Sequence, residues 1–178
     1  MNRIQQAWIW AKRICHCRGF GIQSPTDYRF VRYVINEHWP YYAYETLGLH
    51  DNWEKRKLGK LYFRLANYLS PATIINMVGA EDYVHAAVPK AQVLSCNENL
   101  SEKAKVELAI VPIQINYQQL FDLCDEKSVV VFEGIYEQPE LWHCIEHDPR
   151  TVVTFNLYYC GIVFFDNKCS PHNYIVNF

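Results

Sequence analysis

No apolar run in this 178-residue chain approaches the length of a membrane span; the longest, such as SVVVF at 128–132, are far too short. Positive charge is not in excess either. Seventeen Lys and Arg stand against 19 Asp and Glu, for a net charge of −2, so nucleic acid is not an expected partner. The first twenty residues, MNRIQQAWIWAKRICHCRGF, lack a continuous apolar core, because Gln5, Gln6, Lys12 and Arg13 interrupt it. They also lack a small-residue cleavage site, and a mature cytoplasmic protein is expected. The seven cysteines are odd in number and irregular in spacing, which excludes a disulfide framework as the organising device. Cys96, Cys144 and Cys160 lie in apolar patterns, where cysteine is expected to act as a small hydrophobe. Glycine is scarce, at seven residues, and a single one, Gly79, follows the first apolar strand.

Half of the residues are hydrophobic and 15% are aromatic, enough to fill a sizeable core and to exclude disorder. One domain (71–178) with an N-terminal helical extension (1–70) is expected. Ser24-Pro25-Thr26-Asp27 is a helix start: Ser24 caps, Pro25 suits the first turn, and Asp27 completes a capping-box-like pair. Phe30, Val31, Val34 and Ile35 follow at helical spacing, and Trp39-Pro40 closes that segment. YYAYETLGLHDN reads as a loop with aromatic anchors. Leu58, Leu61, Tyr62, Leu65, Ala66 and Leu69 form the apolar stripe of a further helix, which stops at Ser70-Pro71. From there the pattern changes to short apolar strands, 73–77, 91–96, 107–113 and 128–133. Helices near 81–87, 98–105, 117–125 and 138–147 lie between and after them. Such alternation predicts a parallel sheet covered on both faces. Three further strand-like runs, RTVVTFNL, GIVFFD and HNYIVNF, have only short links and are expected to be antiparallel neighbours.

Several stretches, in order along the chain, resemble one bacterial branch of the class I S-adenosylmethionine-dependent methyltransferases, of the O-methyltransferase-like type. GFGIQSPTDYRFVRYVI resembles its N-terminal signature, with Gln23 where histidine is usual. YYAY and KLYFRLANYLSPATII resemble the helix and linker leading into the first strand. VVFEGIYEQPELWHCIEHDPRTVVTFNLYYCGIVFF resembles the segment through the last helix and hairpin, and HNYIVNF resembles the close. The resemblance implies an α/β fold with a Rossmann-like methyltransferase sheet. That sheet would be mostly parallel, with antiparallel C-terminal strands, reduced strand number and an N-terminal helical cap.

The same resemblance places the cofactor residues at Asn76, Val78, Gly79, Asn97 and Glu98. Here the chain departs from the family. The first strand of relatives ends in an acidic residue and a glycine-rich turn; this chain has Asn76, Met77, Val78, Gly79, Ala80, Glu81 and Asp82. Glycines let a backbone approach a ligand closely and take positive φ, whereas Val78 is β-branched. Glu81 and Asp82 suit a first helical turn but repel the carboxylate of the cofactor. Asn97 stands where a carboxylate would hold both ribose hydroxyls, and an amide cannot make that charge-assisted pair; a one-residue shift would bring Glu98 there. Only one strand-helix unit fits between Cys96 and the strand at 128–133, where relatives have two. Gln114 and Asn116 are the polar residues nearest to a missing Asp, and Glu133-Gly134-Ile135 keeps one acid of two.

The function implied is that of a methyltransferase-like protein with weak or lost S-adenosylmethionine binding. It would act as a binding or interaction module, with a small-molecule ligand and a homodimer among its expected partners. The alternative is an active methyltransferase on a small-molecule acceptor, which needs mainly positioning of donor and acceptor. No catalytic residue is assigned, since no nucleophile set with supporting context is present. HCIEH at 143–147 matches a five-residue zinc-peptidase pattern, but a downstream helical carboxylate is needed and strands are expected there, so solvent-facing His143 and His147 with Glu146 are the reading. Cys15-His16-Cys17 is read as a helix-end cysteine pair without a metal. Trp8 and Trp10 are expected to pack on the sheet or across a dimer. Tyr41, Tyr42 and Tyr44 are read either as pocket-lining residues or as loop anchors.

Overall fold

The computed structural model describes residues 3–95 and 106–178. Seven strands form one sheet: β1 (Thr73–Asn76), β2 (Gln92–Ser95), β3 (Val106–Pro112), β4 (Cys124–Glu133), β5 (Val153–Asn156), β6 (Cys160–Phe164) and β7 (His172–Ile175). Their spatial order is β2-β1-β3-β4-β6-β5-β7. β1 pairs parallel with β2 and β3, and β3 pairs parallel with β4. β6 then runs antiparallel to both β4 and β5. The sheet is therefore mostly parallel with an antiparallel insert, consistent with a Rossmann-like α/β fold.

The helices are α1 (Arg3–Lys12), α2 (Pro25–Phe30), α3 (Trp53–Leu69), α4 (Glu81–Ala87), α5 (Tyr117–Phe121) and α6 (Pro139–Glu146). Strand alternation sends successive side chains to opposite faces, and each face has its own core. Ile74, Leu108, Ile110, Val129 and Val131 pack with Phe30, Leu61, Leu65 and Val84 from α2, α3 and α4. Ile75, Ala109, Val111, Val130 and Phe132 pack with Phe121, Trp142 and Ile145 from α5 and α6. Full burial of each such side chain contributes about 1.5–3 kcal/mol, so both faces of the expected covered sheet are load-sharing layers.

Local chemistry explains the element ends. The Ser24 hydroxyl accepts from the Asp27 backbone N–H at 3.3 Å, with Pro25 in the first turn. The reciprocal half of a capping box does not form, because the Asp27 carboxylate accepts instead from the Tyr174 hydroxyl on β7 at 3.0 Å. Beyond α2 the chain widens into a π-helical turn over Val31–Ile35, in which Asn36 N–H donates to the Val31 carbonyl. Asn52 caps α3 by accepting from Lys55 N–H at 2.9 Å, and Ser70 ends it at φ +48°.

Several expectations are corrected. The helix expected over 117–125 ends at Phe121, since Cys124 and the residues after it extend β4. Past an irregularity in the β3–β4 register, the Ser128 hydroxyl accepts from Asp125 N–H at 2.8 Å and holds that extension. The three C-terminal strands are not all antiparallel neighbours: β7 pairs parallel with β5, on the edge away from β6. The link after β6 reverses the chain but steps over β5. Cys144 is exposed, unlike buried Cys160. Trp8 and Trp10 do not pack on the sheet; they are 62% and 52% exposed. α1 is instead tethered at its end, where the Arg13 guanidinium donates to the Asn156 and Val176 carbonyls at 3.0 and 3.1 Å. The strand end at Cys96, the helix expected over 98–105, and Asn97 and Glu98 lie outside the described residues.

Candidate functional site

Parallel strands bring the C-terminal ends of β1, β3 and β4 to one edge, the place where α/β sheets bind ligands. Asn76 closes β1 there and is 1% exposed. Its side-chain oxygen accepts from the backbone N–H groups of Val78 and Ala80, at 3.4 Å each. Gly79 sits between them at φ +72°, with nothing within 4 Å of where a Cβ would be. The turn is thus folded around the amide of Asn76, and two backbone donors that would otherwise face outward are directed inward. The Asn76 Nδ2 is buried and has no partner among the described residues.

These residues are a poor fit for S-adenosylmethionine. Its ammonium calls for an anionic acceptor, and the side chain that faces this turn is a neutral amide whose oxygen already accepts from two backbone N–H groups. Two of the turn's amide N–H groups are already engaged. α4 has only seven residues, which limits the dipole a ligand carboxylate would meet, and Glu81 and Asp82 stand in its first turn. Because Gly79 has open space around it, only its backbone conformation resists substitution. Gly79→Ala is expected to lower stability by about 1–2 kcal/mol and Gly79→Asn by less, as read from urea midpoints; equal costs would place the turn in another conformation.

The turn is also locked from behind. Tyr83 of α4 is buried and reaches across to α3, donating its hydroxyl to Asp51 at 2.9 Å. It fits only because residues 48 and 59 are glycine. A Cβ at Gly59 would lie 2.4 Å from the ring, and one at Gly48 would lie 1.9 Å from the hydroxyl oxygen. Sequence reading missed this lock; the signal was Gly59 inside an otherwise regular apolar helix stripe.

At the end of β4, Glu133 accepts from the Tyr62 hydroxyl at 2.7 Å. Burial raises the Glu133 carboxyl above the ordinary range, while the Tyr62 hydrogen bond acts against that rise. Cys160 lies behind them, fully buried, and burial followed by the Glu133 charge pushes its thiol up; such a thiol is not a ready nucleophile. Gln114 donates to Glu137 at 3.1 Å, beyond the strand ends. Asn116 precedes α5 without capping it through its side chain.

The remaining sequence candidates separate. His143, Glu146 and His147 lie close, with ligand atoms within 4.8 Å of one another; both histidines are exposed and strands follow, as expected. Cys15 is exposed, and the Cys17 sulfur accepts from Asn177 Nδ2 at 3.2 Å. Tyr41 and Tyr44 pack against Phe63 with ring centroids 5.1 and 5.3 Å away, so both anchor their loop. Tyr44 also lines a cavity, and Tyr42 points to solvent.

No helix among the described residues is long and apolar enough to cross a membrane. Compared with known proteins, the chain matches no family model, no curated protein and no solved structure.

Proposed function

We propose that this chain is a methyltransferase-like protein in which S-adenosylmethionine binding is weak or lost, and that it acts as a binding module. One observation carries the reading: the β1–α4 turn is closed on the Asn76 side chain, with an amide where the resemblance calls for an acid. The sheet order, with a parallel half followed by an antiparallel insert, supports the methyltransferase-like part. A cytoplasmic location and a homodimer belong to the same proposal.

A thermal-shift titration with S-adenosylmethionine and its demethylated product tests it. The expected result is a flat response into the millimolar range. A ligand at 100 times its Kd stabilises by about 2.7 kcal/mol, so a saturating shift at micromolar concentration would overturn the proposal. That outcome would favour an active methyltransferase acting on a small-molecule acceptor.

A further inference from the structure

The three cations Lys57, Lys60 and Arg64 follow one another at helical i, i+3 and i+7 spacing, which places them along one face of α3. On a solvated helix such a stripe would carry acidic partners or face water. Here all three line a cavity of about 410 Å³ between α3 and the segment that follows α2. The opposing wall is largely apolar and aromatic: Ile35, Trp39, Pro40, Tyr44 and Phe178.

None of the three cations has a carboxylate within ion-pair distance among the described residues; the ion pairs there belong to Lys55 and Arg150. Arg64 is 7% exposed. Its Nε donates to the Val34 carbonyl at 2.6 Å, its Nη2 to the Ile35 carbonyl at 2.9 Å, and its Nη1 to the Tyr44 hydroxyl at 3.4 Å. Neutral acceptors hold the guanidinium in place and leave its charge uncompensated. The two ammonium groups rest on ring faces. Lys57 Nζ is 4.8, 5.3 and 4.5 Å from the ring centroids of Trp53, Tyr159 and Phe178, and Lys60 Nζ is 4.7 Å from that of Tyr44. Ring faces attract a cation while leaving its N–H donors free of strong acceptors.

Two further groups complete the cavity. Asn36 lines it, and its Nδ2 is buried without a hydrogen-bond partner among the described residues. Glu37 is the one side-chain carboxylate on the wall and already accepts from the Tyr41 hydroxyl at 2.8 Å. The side-chain charges of the lining, His38 apart, are thus three positive groups against one negative. Burial, reinforced by the Arg64 charge, lowers the Lys57 ammonium to about 8, against the opposing pull of Cys160 and Glu54.

We infer that this cavity binds a small phosphate monoester with an aromatic or otherwise apolar body. The volume suits a small organic molecule, and apolar walls with a few polar groups are the common composition of such sites. A phosphate presents three terminal oxygens and up to two negative charges. Two ammonium groups and an orphaned amide donor can meet these oxygens, with the fixed Arg64 charge behind them. A carboxylate has one charge and two oxygens, and leaves more of the wall unanswered. The inference does not rest on the proposed function: no lining residue belongs to the β1–α4 turn, and it holds whether or not S-adenosylmethionine binds.

Isothermal titration of the full chain with phenyl phosphate at pH 7 and low salt tests it, with benzoate, inorganic phosphate and benzyl alcohol as comparators. Saturable binding of phenyl phosphate is expected, at least 10-fold tighter than any comparator. Lys57→Met and Lys60→Met should each weaken it at least 10-fold, while Lys168→Met, remote from the cavity, leaves it unchanged. Absence of saturable binding, binding that survives the Lys57→Met/Lys60→Met double variant, or equal affinity for benzoate would each overturn the assignment. A second readout needs no variant. The Lys57 ε-methylene signal, followed by NMR against pH, should report a higher pKa with phenyl phosphate present; an unmoved titration would count against binding at this cavity.

Discussion

Trp142→Ala is expected to lower the free energy of unfolding by about 3–5 kcal/mol, the range for truncating a large buried aromatic side chain. Trp142 is 3% exposed and lies between α6 and the sheet, near Phe132 and over Gly161 of β6. Gly161 is held in register between Phe132 of β4 and Asn156 of β5. A Cβ there would come within 2.2 Å of the indole. The strand cannot retreat without breaking two ladders, and the indole is enclosed by core. Gly161→Ala should therefore cost about 1–3 kcal/mol through overpacking. In the Trp142→Ala background the same substitution meets empty space and should be close to neutral. The coupling in this double-mutant cycle, measured from urea unfolding, should reach about 1 kcal/mol or more. Equal costs of Gly161→Ala in both backgrounds would refute the packing account.

The second large effect is expected at Arg64. The final carbonyls of a helix lack intrahelical partners, and those of Val34 and Ile35 belong to residues only 3% and 1% exposed. Arg64 satisfies both. Each buried acceptor left unsatisfied costs about 1–3 kcal/mol, so Arg64→Leu, which orphans two, should destabilise by roughly 2–6 kcal/mol. Arg64→Lys should recover only part of that, because one ammonium on a flexible stem does not reproduce the planar fork. Amide exchange over residues 31–36 should accelerate in both variants. Wild-type stability in Arg64→Leu would show that the two carbonyls find other donors.

What could be read in the sequence was local. The Ser24-Pro25 start, the stop at Ser70 and the span of α4 follow from capping chemistry and apolar spacing, and the structure reproduces them. The apolar runs of β1, β3 and β4 pointed to a doubly covered sheet because buried parallel strands need apolar residues on both faces. What escaped depends on pairing across distance. β7 follows β6 through a short link, the usual mark of a hairpin, yet its partner is β5. Cys124 to Lys127 carry a helix-compatible pattern but are drawn into β4 by β3. Asn76 was identified from the resemblance, while its role in ordering the turn needed coordinates. The cation stripe on α3 reads as a solvated face until residues 35–44 and 178 are folded against it.

The Tyr83 lock makes three positions behave as a single variable. Filling Gly59 or Gly48 with any side chain evicts the ring unless residue 83 shrinks in the same step. Single substitutions along that route are blocked from either side, so the junction between α3 and α4 can drift only by compensated pairs. The β1–α4 turn, resting on that junction, inherits the same restraint.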